Sequence, residues 1–244
     1  LDQPDQWFIM GYFIGDGWIE ETLKKNGNCA HKIRFSFHID DNYSLDRIKN
    51  VLPITDKKTN QGKCTKYGCA DVVWFNILKL FGKYAHNKYI PEWIHNAPSP
   101  LIQEFINGYM ASDGTICQNG SHKITTVSHH LAYGLQRLYL KMGHLVSVTK
   151  TVRPKKCIIQ GRTCNQRDTY DISYYENNKR YSSFIEDNYV WYAPSSILSR
   201  DVENESVYNF EVENDNSYIV CNMIAHNCQG FSHAGKKKSD DPRN

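Results

Sequence analysis

The apolar positions near the start of the chain follow a helical spacing. In "FIMGYFIGDGWI", Phe8, Ile9, Tyr12 and Phe13 share one face, and Gly11 and Gly15 leave gaps in it. Glycine costs about 1 kcal/mol against alanine inside a helix, and close approach of another backbone is the usual reason to keep it. Further on, "HKIRFSFHIDDNYSLDRI" from His31 changes from alternation to 3.6-type spacing, a strand running into an amphipathic helix. The pattern then recurs. "FINGYMASDGTI" (Phe105–Ile116) repeats the Phe, Ile, Gly-Tyr, Asp-Gly and final Ile of Phe8–Ile19 at a constant offset of 97 residues, and "HKITTVSHHLAYGLQRL" from His122 echoes the strand and helix. Two similar α/β units are predicted, with repeats over about 7–95 and 102–187.

The second copy has small residues, Gly108 and Ser112, at the places matching the gaps, with a further small residue, Ala111, beside them. Two such helices are expected to pack backbone to backbone and to bring their C-terminal ends together. Those ends carry Asp16 and Asp113, each followed by glycine, a helix-stop signal. Carboxylates at two negative helix ends repel each other unless a cation lies between them. Hard oxygen ligands of this kind suit Mg²⁺, which keeps several waters and binds phosphate. That is the outline of a metal-assisted phosphodiester hydrolysis site. A tandem helix pair capped by aspartates is the other reading, since Asp-Gly turns are common; two copies in register favour the site.

"IMGYFIGDG" and "INGYMASDG" resemble the LAGLIDADG, or dodecapeptide, motif of homing endonucleases. The resemblance spans about residues 7–187. It implies an α+β fold of pseudo-twofold αββαββα type, with antiparallel sheets forming a DNA-binding saddle. It also implies that Asp16 and Asp113 are the metal-binding catalytic acids, one per DNA strand. Intein members of the family often carry a lysine just before an Ile-Pro, and "NKYIP" places Lys88 there, where it is expected to polarise the attacking water or stabilise phosphate charge. In the second repeat the matching region is "NNKRY", with Lys179 as the counterpart, although no Ile-Pro follows it. The basic residues expected to meet DNA are Lys32, Arg34, Lys123, Lys150, Arg153, Lys155, Lys156, Arg162 and Arg167; most are expected to position the duplex rather than read bases.

The character changes from about residue 188. Alternation at Val207–Val212 and at Ser217–Val220, joined by a polar turn at 214–216, predicts a strand pair ending on His226-Asn227-Cys228. Asn227 can attack its own carbonyl through its side-chain amide, forming a succinimide and cutting the chain after itself. His226 is placed to donate a proton to the leaving amine, and Cys228 offers a thiol acceptor. "VYNFEV…NSYIV…HNC" is similar to the C-terminal splicing region of inteins, whose splicing domain is of the HINT type. Asn209 stands where that pattern often has Asp, and Asn216 where it often has His. The chain shows no starting Cys or Ser nucleophile and no Thr-x-x-His block, so it is not expected to splice alone: it is either truncated or waits for a partner fragment that carries the N-terminal half. The remaining "CQGFSHAGKKKSDDPRN" (228–244) is similar to the catalytic loop of DNA cytosine-5 methyltransferases. There Cys228 would attack C6 of a flipped cytosine, with S-adenosylmethionine as methyl donor in the complete host enzyme.

Composition changes this picture little. The chain of 244 residues is 40% hydrophobic and 23% charged, with net charge +3, and no apolar stretch approaches the roughly 20 residues of a membrane span. The start, "LDQPDQWF", lacks a basic signal-peptide region and an initiator methionine, so a fragment or excised piece is expected. The eight cysteines include no paired C-x-x-C spacing, and reduced thiols in a cytoplasmic protein are expected. Charge distribution says more. Residues 141–180 hold nine Lys/Arg against three Asp/Glu, whereas 181–216 hold one Arg against eight acids, a switch between modules with different partners. Three parts are expected: a nuclease over 1–187, a splicing region over 188–227 and the start of the host protein from 228. The nuclease is expected to act as a monomer on double-stranded DNA. The alternative is a degenerate nuclease that only binds DNA, with the host methyltransferase carrying the function.

Overall fold

A computed structural model describes residues 1–24, 27–54, 59–159, 161–176, 183–187, 189–193, 196–201, 206, 217–220 and 223–226. The first repeat runs α1 (Pro4–Asp16), β1 (Gly17–Leu23), β2 (Cys29–His38), α2 (Asn42–Lys49), β3 (Thr59–Gln61), β4 (Cys64–Cys69) and α3 (Val72–Lys79). A short α4 (Glu92–His95) leads into the second repeat: α5 (Ser99–Asp113), β5 (Gly114–Ile116), β6 (Ser121–Thr126), α6 (His129–Lys141), β7 (Ser147–Thr151), β8 (Lys156–Ile159), β9 (Arg162–Asn165) and β10 (Thr169–Tyr175). Hairpins β11 (Ser183–Glu186) with β12 (Tyr189–Tyr192) and β13 (Ser217–Val220) with β14 (Met223–His226) follow.

The two repeats are wired alike. One sheet has the order β1-β2-β4-β3 and the other β5-β6-β10-β7, antiparallel throughout. In the second repeat the connection between its last two sheet strands is drawn out into the β8–β9 hairpin. Side-chain caps start the helices after the strands: Asp41 accepts from Ser44 N–H at 3.1 Å, Asp71 from Trp74 N–H at 2.9 Å and Ser128 from Leu131 N–H at 3.2 Å. Both strand-to-helix stretches expected from the hydropathy pattern are present as β2–α2 and β6–α6.

The core is built around α1, whose residues Trp7 to Ile14 are all buried. A helix apolar on every side belongs in the interior. It packs against α5, with Phe35 and Phe37 of β2 on its own side and Phe105 and Tyr109 of α5 on the other. At the N-terminal end of the pair, Arg47 on α2 bridges Asp5 on α1 (2.6 Å) and Glu104 on α5 (2.7 Å). The chain divides into two compact units, residues 1–193 and 194–244. In the second, residues 217–220 and 223–226 form the β13–β14 hairpin. Ser217–Val220 is a strand as expected; the Val207–Val212 stretch lies outside the described residues. No helix among the described residues is long and apolar enough to cross a membrane.

Candidate active site at the paired helix ends

The helix pair is held by a reciprocal contact. A Cβ on Gly11 would lie 1.9 Å from the carbonyl oxygen of Phe105 and 2.9 Å from Tyr109 N; one on Gly108 would lie 2.0 Å from the carbonyl of Phe8 and 2.9 Å from Tyr12 N. Each glycine thus admits the other helix's backbone, and the partners correspond under the offset of the repeats. One turn later, a Cβ on Gly15 would meet Ser112 Oγ at 2.0 Å and the carboxyl carbon of Asp113 at 3.2 Å. Small residues at these positions therefore bring Asp113 against the last turn of α1, beside Asp16.

Both helices stop at their Asp-Gly pair, but not in the left-handed conformation usual for a glycine stop. Gly17 has φ −109° and Gly114 φ −83°, so each helix passes directly into a strand. Glycine is needed there for room: a Cβ on Gly17 would strike Phe13, and one on Gly114 would strike Met110.

The electrostatics follow from this packing. Burial first, and then the charge of Asp113, push the Asp16 carboxyl up to about 6; Lys88 opposes the rise and Asp41 adds to it. Asp113 is likewise raised by burial, with Lys88 opposing. Burial pushes the Lys88 ammonium down to about 8, against the pull of Asp113 and Asp16. Lys88 is only 8% exposed. Its Nζ donates to the carbonyls of Phe13 (3.2 Å), Ile14 (2.5 Å), Gly15 (3.4 Å) and Gly17 (3.0 Å), closing the C-terminal end of α1. A cation there neutralises the negative end of the helix and lies within electrostatic reach of both carboxylates.

Two neighbouring carboxylates of raised pKa form an incomplete set of hard oxygen donors. Among the described residues no group of three or more His, Cys, Asp or Glu is arranged to hold a metal. The pair fits Mg²⁺, which takes one or two protein carboxylates and completes its shell with water and phosphate; it does not fit zinc.

The pleat sorts the basic residues. On the first sheet Ile19, Ile33, Phe35 and Phe37 face the core, so Lys32 and Arg34 lie on the open face, opposite Glu20 and Trp18 respectively. Glu20 accepts from Trp18 Nε1 at 3.0 Å and from Arg34 Nε at 3.2 Å. Lys66, opposite Ser36, shares this face. On the second sheet Lys123 is 3.6 Å from Asp171, which also accepts from Thr125 Oγ1 at 2.6 Å. Lys150 lies on the other side of the pleat, opposite buried Tyr170, and its Nζ is 3.0 Å from Asp168. Arg153, Lys155, Lys156, Arg162 and Arg167 are all exposed on or beside the β8–β9 hairpin, which becomes a basic arm.

Lys179, Asn227 and Cys228 lie outside the described residues. His226 is the last residue of β14, opposite Ser217. Sequence reasoning missed Trp18, Glu20 and Lys66 on the open face, although the period-two alternation of β1 would have found the first two. It also missed Ser128, whose local signal is that of an N-cap.

Residues 100–185 match the LAGLIDADG-like domain family. A variant of the homing endonuclease I-DmoI, in complex with its target DNA in the presence of 2 mM Mg, superposes with a TM-score of 0.52 at 11% identity, over 72% of this chain and 90% of that one. I-DmoI in complex with DNA and Mn gives a TM-score of 0.50 at 12% identity, over 72% and 91%. The chain therefore carries a LAGLIDADG homing endonuclease-like fold. Its curated relatives have unrelated names. It is 21% identical over 232 residues to an iron-sulfur cluster assembly SufBD family protein of Mycobacterium tuberculosis (90% of this chain, 27% of the relative). It is 27% identical over 206 residues to ribonucleoside-diphosphate reductase NrdEB subunit alpha of Bacillus subtilis (74% and 18%), and 28% identical over 252 residues to ATP-dependent DNA helicase Hel308 of Thermococcus kodakarensis (92% and 21%). The chain spans about a quarter or less of the length of these relatives.

Proposed function

We propose that this chain is a site-specific homing endonuclease, carried by an intein, that hydrolyses double-stranded DNA with Mg²⁺. The observation that carries the reading is the reciprocal glycine packing that sets Asp16 beside Asp113 at one spot between two similar sheets. In this reading Asp16 and Asp113 hold the metal. When bound, Mg²⁺ supplies Lewis-acid stabilisation of phosphate charge and a more acidic water. Lys88 keeps the α1 end in place and offsets the charge of both carboxylates. The open faces and the basic arm grip the duplex, mainly through its phosphates.

The splicing part rests on other support. Proteins named for iron-sulfur assembly, nucleotide reduction and DNA unwinding each match this chain over at most 27% of their own length, as hosts of an inserted element would. A match over 90% of this 244-residue chain necessarily runs past residue 187, which supports reading the shared element as larger than the proposed nuclease. In this reading Asn227 cyclises, His226 assists, and Cys228 accepts the acyl group passed on by an N-terminal splicing half. The host is a DNA cytosine-5 methyltransferase, which in complete form uses S-adenosylmethionine.

The test is incubation with Mg²⁺ and a supercoiled plasmid carrying the joined methyltransferase sequence, with Asp16→Asn and an insert-bearing plasmid as controls. Linear product from the joined site alone is the expected result. Binding without cleavage by the wild type would sink the nuclease and leave a DNA-binding or splicing element.

A further inference from the structure

Lys88 reaches the end of α1 from a backbone that is itself held by the other repeat. Ser128 Oγ donates to the carbonyl oxygen of Lys88 at 2.6 Å. Ser128 is fully buried and is the N-cap of α6, where the same oxygen accepts from Leu131 N–H at 3.2 Å; its own N–H donates to Thr126 Oγ1 at 3.2 Å. A hydroxyl has one proton to give and lone pairs to accept with. Ser128 therefore caps α6 with a lone pair and commits its proton to Lys88. Neighbouring contacts fix the same segment. Ile90 packs on Gly134 of α6, where a Cβ would stand 3.3 Å away. Gly82, at φ +88°, lets the Asn87 carbonyl approach to 2.2 Å of where a Cβ would be, and Tyr89 N–H donates to Phe81 O at 3.1 Å.

We infer that Ser128 is a positioning residue: it fixes the Lys88 backbone so that the ammonium spans from the second repeat's α6 to the carbonyls at the end of α1, beside Asp16 and Asp113. A lysine side chain is long and flexible, and its tip is placed only as well as its backbone. Two anchors, one at each end, replace that freedom with a single position. The site is then a product of both repeats in a second sense, beyond the paired aspartates. The catalytic consequence rests on the nuclease reading; the positioning itself does not.

The first test needs no cleavage. Brief acetylation followed by peptide mass spectrometry should find Lys88 protected in the wild type while exposed Lys79 reacts. Ser128→Ala should raise Lys88 acetylation several-fold with Lys79 unchanged, and Ser128→Thr should restore protection. Because alanine also removes a cap, Ser128→Gly is the second variant: glycine retains most N-cap stability yet has no proton to donate. Lys88 still protected in Ser128→Gly would overturn the inference, as would Lys88 and Lys79 rising together. The second test is single-turnover cleavage at saturating DNA. Ser128→Gly should slow it about tenfold or more, with DNA affinity unchanged within about twofold, and should add nothing in a Lys88→Met background. Equal slowing in both backgrounds marks a merely structural role and overturns it. If no protein cleaves, the nuclease reading fails and the acetylation result still decides the positioning.

Discussion

Asp16 shows how one residue ties stability to function. Its carboxyl is pushed up to about 6 by burial and by Asp113, against an ordinary value near 4 in the unfolded chain. A raised acid favours the protonated fold. Above about pH 6 the native state therefore carries the cost of a buried, repelled charge, and the cost is relieved as pH falls from about 6 towards 4. Allowing for partial exposure, it is on the order of 1–2 kcal/mol. By this pair's contribution, the metal-free protein is expected to melt at a higher temperature at pH 5 than at pH 7. Asp16→Asn should raise the metal-free melting temperature at pH 7 and abolish cleavage while DNA affinity persists. Mg²⁺ should stabilise the wild type at pH 7 and little at pH 5, where Asp16 is protonated. A calorimetric series at both pH values checks the stability effects; a melting temperature indifferent to Asp16→Asn would contradict the repulsion.

Among the elements, α1 and α5 depend on backbone contact, so their glycines tolerate no side chain. Gly108→Ala places a Cβ 2.0 Å from the Phe8 carbonyl, which only movement of a whole helix can relieve. A destabilisation of about 3 kcal/mol or more is expected in chemical denaturation; one below about 1 kcal/mol would mean that the helices separate at little cost. The β8–β9 arm is the opposite kind of element, polar and exposed. Changing Lys155, Lys156 and Arg162 to alanine should weaken DNA binding at low salt and flatten its dependence on log salt by about 0.9 for each phosphate no longer neutralised. Titrations at several ionic strengths measure this, and an unchanged slope would remove the arm from the interface. Lys150, paired with Asp168 just before β10, should contribute less than the arm residues to the same slope.

For the whole molecule, the splicing reading predicts complementation. Mixing this chain with an N-terminal intein half bearing a starting cysteine should yield a ligated host sequence joined at Cys228, visible by mass spectrometry. Asn227→Ala should stop the reaction before excision, because no side-chain amide remains to cyclise. Ligation that persists in Asn227→Ala would exclude that chemistry. Asp16→Asn should leave ligation intact, since the two proposed activities draw on different residues.

The repeat, the helix glycines and both aspartates were legible in the sequence because each obeys a local rule: a period of apolar positions, a residue lacking Cβ, an Asp-Gly stop repeated at one offset. The β2–α2 and β6–α6 stretches were legible for the same reason. Other features depend on neighbours distant in the chain. The sequence offered Lys88 as a candidate, but only folding shows its ammonium on the carbonyls of residues 13–17 and its own carbonyl held by Ser128. Likewise Gly17 and Gly114 read as helix stops, but only the fold shows that they are extended and that glycine is needed because Phe13 and Met110 crowd them. Sorting Lys123 from Lys150 required the strand register, since a single step along a strand moves a side chain to the opposite face. Periodicity and residue chemistry are properties of a segment and so survive in the sequence. Burial, the repulsion that raises Asp16 and the two-ended hold on Lys88 arise between segments, and only the tertiary structure decides them.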